Sequence, residues 1–361
     1  ILFARLKLED VMEKVDAQRK AHGLPTFAEL EAQEKAEAEA AMQQAEVEGW
    51  DASGLQDDWG EDAKGMRMYS CPSCGAELFC EETTAATSCP YCDNPTIVPG
   101  QFSGVLKPDY IIPFKLGKED ALKALKEHYK GRPFLPKAFQ NQNHLDEIKG
   151  VYVPFWLFDG KAEGSVSFEG TNIVRYNSGD YEVTETHYYD VYRAGSLAFE
   201  RIPVDGSKKM PDDYMDSLEP FDYDGLKDFS TAYLPGYLAD KYDVSAEESS
   251  QRADSRAEAT VSDALKDTVY GYQMVFEKQR NIQLHRGEVK YALLPVWILN
   301  TTWNGEKYMF AMNGQTGKMV GDLPTDKKKK WGIFGIVYLI TLAITALFIL
   351  FPFGLLDLLR M

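Results

Sequence analysis

The chain has 361 residues, with 44 % apolar and 12 % aromatic positions, enough for two or three packed domains and too much for a chain disordered throughout. A formal net charge of -17 argues against a general nucleic-acid binder, because phosphate binding needs clustered lysine and arginine. Residues 1–63 carry sixteen acids and six bases and so hold -10 of that charge.

The chain begins at Ile1 rather than Met and is read as truncated or processed there. Ile1 to Leu8 is too short an apolar stretch for a secretory signal, and acids follow it at once. Residues 5–22 suit a helix charged on most faces, broken by His22-Gly23-Leu24-Pro25. Thr26, with Glu29 three residues on, opens a second helix through a capping box. Its apolar stripe, up to about Glu48, is thin and suits either a solvated linker helix or a docking helix. Residues 49–65 read as a polar linker with two exposed tryptophans, Trp50 and Trp59. Residues 1–65 are therefore expected to be an acidic helical segment and linker.

All five cysteines lie between Cys71 and Cys92. A secreted disulfide framework spreads its cysteines as staples, whereas two CxxC pairs point to metal in a reducing compartment. Cys71-Pro-Ser-Cys74-Gly75 and Cys89-Pro-Tyr-Cys92-Asp93 have the spacing C-x2-C-x14-C-x2-C of paired zinc knuckles. Each tight turn aims two thiolates at one point, and four thiolates close a tetrahedral Zn2+ site with no open position, a structural site. Gly75 suits a left-handed position after the second ligand, and Asp93 takes it less easily. Residues 77–88 fit a hairpin, and residues 66–98 a zinc ribbon. Cys80 lies on the expected strand, where a buried thiol and a reactive thiol are the alternatives. Two bases against four acids from Lys64 to Gly100 suit a protein- or membrane-facing ribbon better than a nucleic-acid reader.

From Phe102 onward the pattern changes to strands and helices. Asp109–Phe114 reads as a strand and Lys118–Tyr129 as an amphipathic helix with Ala121, Leu122, Leu125 and Tyr129 near one face. Residues 137–148 suit a short helix. Val151–Phe158, Thr171–Val174 and Tyr181–Tyr192 read as strands, and about Ser245–Tyr270 as a long helix. Pro154-Phe-Trp-Leu157 recurs as Pro295-Val-Trp-Ile298, and Ile112-Pro113 has an echo in Leu234-Pro235. The expected architecture is one α+β domain over residues 104–323, made of two related lobes, about 104–220 and 221–323. Chance likeness of two Pro-aromatic strands is the alternative.

Catalytic motifs fail on inspection, so no catalytic residue is assigned and the chain is not expected to be an enzyme. The glycines of Asn313-Gly-Gln-Thr-Gly-Lys318 are too close for a phosphate loop, and Asn-Gly between strands is a hairpin turn. The five histidines are scattered, and His187 reads as a strand histidine. No charge occurs from Trp331 to Leu356, long enough to cross a bilayer, and Lys327–Lys330 precede that run. By the positive-inside rule the body faces the cytoplasm, tail-anchored in a single pass, with the lysines on anionic headgroups.

The segments CPSCGAELFCEETTAATSCPYC, KPDYIIPFKLGKEDA, KGVYVPFWLFDG, YYDVYRAGSLAFERIPVDGSKKM and LPVWILNTTWNGEKYMFAMNGQTGKMVG together resemble YdjG-like, TFIIB-type zinc-ribbon proteins of Gram-positive bacteria. The match covers roughly residues 66–325 and has a hydrophobic tail after it. The resemblance implies zinc ligands Cys71, Cys74, Cys89 and Cys92, with Cys80 outside the set. It also implies a membrane-anchored protein without known catalysis, and partners among phage-shock-type envelope-stress proteins. A second ribbon often lies upstream in that family, which fits a truncated N-terminus. Residues 26–65 depart most from the family. A membrane-tethered adaptor that binds or recruits partner proteins is the expected role, and a membrane-associated nucleic-acid-binding ribbon the alternative.

Overall fold

The computed structural model describes residues 49–84, 88–95, 97–137, 139 and 148–350, and Ala17, Arg19, Lys20, Thr26 and Glu29 nearer the N-terminus. The chain divides into two compact units, Ile1–Gly49 and Trp50–Met361. In the first unit the expected capping box is closed. The Thr26 N–H donates to the Glu29 carboxylate at 2.9 Å, and the Glu29 N–H donates to Thr26 Oγ1 at 3.2 Å. The rest of the two N-terminal helices, most of the short helix expected over 137–148, and residues 351–356 lie outside the described residues.

In the second unit eleven strands form one mixed sheet. In chain order they are β1 (Met66–Ser70), β2 (Glu77–Glu81), β3 (Val98–Gly100), β4 (Tyr110–Ile111), β5 (Lys149–Ser178), β6 (Tyr181–Asp205), β7 (Lys227–Asp228), β8 (Leu238–Asp240), β9 (Met274–Trp303), β10 (Glu306–Asn313) and β11 (Met319–Gly321). The helices are α1 (Lys118–Tyr129), α2 (Asp212–Leu218), α3 (Ala246–Lys266) and α4 (Lys327–Leu350). The main path runs β11-β10-β9-β5-β8-β2-β1-β3. The expected α+β class and the helix over Lys118–Tyr129 are therefore present.

The run Val151–Phe158 is apolar at every position because it is covered on both faces. Tyr152, Trp156 and Phe158 pack with Ala253, Ala257 and Val261 of α3. Val151, Val153, Phe155 and Leu157 pack with Leu78, Tyr91, Met215 and Leu218 on the other face.

The two Pro-x-Trp segments lie side by side. β5 and β9 pair antiparallel with Val153 opposite Leu294, so residues 154–157 and 295–298 run away from one point in opposite directions. The surroundings repeat about that point. β8 runs parallel to β5 and is followed by α3, whereas β4 runs parallel to β9 and is followed by α1. The Trp156 indole N–H donates to the Val244 carbonyl at 2.9 Å, and that of Trp297 to the Leu116 carbonyl at 3.0 Å. Gly206 N–H donates to the Pro154 carbonyl and Gly314 N–H to the Pro295 carbonyl, both at 2.8 Å. The strands of the two repeated halves, β4 to β6 and β8 to β10, thus interleave in one sheet. Ile112-Pro113 and Leu234-Pro235 are not the matching positions. By strand pairing Tyr110–Ile111 corresponds to Leu238–Ala239 instead, because each fills the same slot, the first beside β9 and the second beside β5.

Residues 50–65 are not a loose linker, and the two tryptophans are not exposed. Trp59 is 5 % exposed, ringed by Phe79, Phe102 and Phe229, and donates its indole N–H to the Val105 carbonyl at 2.8 Å. Trp50 stands edge-on to Phe158 at 4.9 Å and donates to Asp254 at 3.0 Å. Two large aromatic side chains in a polar stretch find apolar cover that only the folded sheet supplies.

Beyond Phe158, strands β6, β5 and β9 continue as a three-stranded ribbon. The β5–β6 hairpin turns through Gly179, whose φ of 64° suits glycine. α4 is long and apolar enough to span a membrane, and its lipid-type side chains are exposed.

Candidate metal centre

β1 and β2 form the first knuckle's hairpin. They pair from Met66–Glu81 to Ser70–Glu77, and the intervening turn carries Cys71 and Cys74. The hairpin expected within residues 77–88 is therefore drawn one strand earlier, because the knuckle is itself the turn. The Cys71 N–H donates to the Ala76 carbonyl at 2.8 Å and the Gly75 N–H to the Cys71 carbonyl at 2.9 Å. The second knuckle repeats this, with the Cys89 N–H on the Asn94 carbonyl and the Asp93 N–H on the Cys89 carbonyl. Gly75 (φ 69°) and Asp93 (φ 58°) hold the left-handed positions that the sequence calls for.

The four thiols converge, all within 4.8 Å of one another, with Cys71 Sγ 3.6 Å from Cys92 Sγ and Cys74 Sγ 3.6 Å from Cys89 Sγ. A tetrahedron of thiolates about 2.3 Å from zinc has sulfur–sulfur edges of about 3.8 Å, so the set fits Zn2+. Bound there, the metal would supply a cross-link between the knuckles, with Cys71, Cys74, Cys89 and Cys92 as its ligands.

Electrostatics suit thiolates unevenly. Burial raises the Cys71 thiol, but the N–H groups of Cys74 and Ser73 and the thiols of Cys92 and Cys74 outweigh it and bring it down to about 7. Burial pushes Cys89 well up and Cys74 up, against N–H donors in their own turns. A divalent cation removes that penalty by compensating the buried charge. Cys80 stands apart. It is fully buried, burial pushes it up to about 11, and its Sγ lies 3.4 Å from the Thr84 carbonyl.

The body grips both knuckles. Lys209 Nζ donates to the Cys74 carbonyl at 3.1 Å, and Lys149 Nζ to the Cys89 carbonyl at 3.3 Å. Asn300 Nδ2 donates to the Pro90 carbonyl. The Tyr91 hydroxyl donates to Asp240 at 2.8 Å, as does Ser207 Oγ at 2.6 Å. Burial raises Asp240 to about 7 in spite of those two donors. β2 pairs with β8, so the ribbon shares the body's sheet. Lys149, Ser207, Lys209, Asp240 and Asn300 lie 57 to 208 positions beyond Cys92, and no local motif marks them.

His187 and the Asn313–Lys318 turn lie apart from the four thiols. His187 is half exposed on β6, 3.6 Å from Glu185. Asn313 caps its own turn by accepting from the Gln315 and Thr316 N–H groups at 2.9 and 3.0 Å. Gly317 closes that turn with its N–H on the Asn313 carbonyl at 3.0 Å.

No protein-family model matches the chain. No solved structure matches it either. The uncharacterized protein YdjG of Bacillus subtilis (strain 168) is 38 % identical over an alignment covering 72 % of this chain and 91 % of that protein. With that identity over nine-tenths of the relative, the chain belongs to the YdjG family.

Proposed function

We propose that this chain is a membrane-tethered, non-catalytic adaptor that recruits partner proteins at the cytoplasmic face of the membrane. In this reading α4 is a single-pass anchor, and Lys327–Lys330 sit among anionic headgroups. Zinc on Cys71, Cys74, Cys89 and Cys92 serves to hold the ribbon against the body.

The observation that carries the reading is where the large exposed aromatics lie. Outside α4 most of them gather on the β6-β5-β9 ribbon, where Tyr176, Tyr181, Tyr188 and Phe276 are 45, 77, 67 and 58 % exposed; Tyr270, at 81 %, lies just before β9. Exposed tyrosine and phenylalanine on a rigid sheet are the residues that anchor protein interfaces. Acids outnumber bases on β6, which disfavours nucleic acid there. The family resemblance points to envelope-stress proteins as the partner class.

The test is capture of the full-length, detergent-solubilised protein from its host, with protein and nucleic acid both identified. Tyr188→Ser with Phe276→Ser should abolish capture of a membrane-stress partner while metal content and fold persist. Nucleic acid that leaves at moderate salt, with no protein partner, would establish the nucleic-acid reading instead.

A further inference from the structure

The outer edge of β6 carries no strand among the described residues. β6 pairs only with β5, in unbroken register from Gly160–Phe199 to Ser178–Tyr181, and among the described residues no strand lies on its other side. Proteins shield long edges with proline, lysine, bulges or a covering element. From Tyr181 to Ile202 β6 has neither proline nor lysine, and the shift in its ladder falls at Phe158/Gly160, near its far end. β10, which holds the matching place beside β9, has its outer edge covered by β11. The covering contacts on β6 are to a face: Arg193 reaches Thr268 at 3.1 Å, and Tyr189 meets Tyr272 at 5.2 Å. On the edge itself the Arg193 guanidinium donates to the Tyr192 carbonyl at 2.8 Å, and no described strand pairs with it.

We propose that β6 is a self-association strand, through which two copies of this chain pair antiparallel about a two-fold axis at Tyr189. The β6 strands would join two ribbons into one six-stranded sheet. Hairpin geometry restricts the registers. In the two-residue turn the Tyr181 N–H faces Ser178, so odd-numbered residues of β6 direct their main chain to β5 and even-numbered ones direct theirs outward. Two such edges match odd to odd and even to even.

With the axis at Tyr189, Glu185 of each copy stands opposite Arg193 of the other, twice by symmetry. Glu182 meets Ser196 and Asp190 meets Tyr188, so no like charges oppose. An axis at Glu185 or Asp190 would set a carboxylate against itself. The strand therefore complements its own charge, which is why the occupant is a second copy. Its Thr184, Thr186, Tyr188 and Val191 are good strand formers. This pairing uses the edge's main chain, so it does not rest on the recruitment reading, which uses side chains on the face.

Cross-linking of the full-length protein in detergent tests both the pairing and the register. A residue on the axis pairs with itself within disulfide reach, so Tyr189→Cys should give a disulfide-linked dimer under mild oxidation. Thr184→Cys, which faces Ala194, should give no disulfide-linked dimer. Glu185→Arg or Arg193→Glu alone should each weaken association about tenfold or more, and the two together should restore it. A wild-type protein that remains monomeric overturns the proposal. So does equal cross-linking from position 184, or no rescue by the double reversal in variants that keep their metal and circular dichroism.

Discussion

The Tyr91 hydroxyl, inside the second knuckle, donates at 2.8 Å to Asp240, a fully buried carboxyl at the end of β8. A residue of the metal turn thereby satisfies a polar group of the body. Tyr91→Phe removes one of two donors and should lower stability by about 1–3 kcal/mol, measured by denaturant unfolding of the metal-bound protein.

The same carboxyl gives a pH dependence with a definite sign. Burial holds Asp240 at about 7, against roughly 3.9 for a free aspartate. Between those values the folded chain keeps a proton that the unfolded chain releases, so stability falls as pH rises from about 4 to about 7 and then levels. Asp240→Asn keeps an acceptor for both hydroxyls and should flatten that fall. An unchanged slope between pH 5 and 7 would refute the assignment.

Removing the metal should loosen more than the knuckles. Lys209, Lys149 and Asn300 all hold knuckle carbonyls. Cys71→Ser or Cys89→Ser should therefore abolish binding of one zinc per chain and lower the body's melting temperature as well. Thiolate ligands compete with protons, so zinc should also leave on acidification. Atomic absorption together with thermal scans reads both effects.

Cys80 should be silent in the native protein. It is buried, and its thiol is pushed up to about 11. With metal bound, a thiol reagent at pH 8 should modify fewer than one cysteine per folded chain. Denaturation with a chelator should release all five.

The matching glycines should differ in tolerance. A Cβ on Gly314 would sit 2.7 Å from the Phe114 ring, which is stacked on Tyr237, whereas one on Gly206 would come no closer than 3.1 Å to Trp156 Nε1. Gly314→Ala should cost about 1–3 kcal/mol and Gly206→Ala less. Thermal unfolding of the two variants compares them directly.

Cutting after Pro324 should release a soluble, folded, zinc-binding protein, since the large apolar side chains of α4 from Trp331 to Leu347 are exposed. Size exclusion and circular dichroism check it. A fragment that binds zinc but is insoluble would show the boundary to be misplaced.

What could be read from the chain was what short range dictates. Cys-x-x-Cys spacing fixes two turns whatever lies around them, and Gly75 and Asp93 adopt the backbone those turns need. The α1 helix follows from its 3.6-residue apolar period, and the bilayer-length apolar run before Leu350 from length alone. Trp50 and Trp59 misled, because a tryptophan in a polar stretch carries no local sign of the sheet that covers it.

By itself, then, the sequence determined the four thiols and the bilayer-length apolar helix, because each is specified by neighbours a few residues apart. Tertiary structure alone decided that Val153 faces Leu294, that Asp240 receives Tyr91, and that among the described strands β6 pairs with β5 alone. Those relationships join residues 141 and 149 positions apart, or turn on which strands pair. Strand register and burial settle them once the sheet has closed.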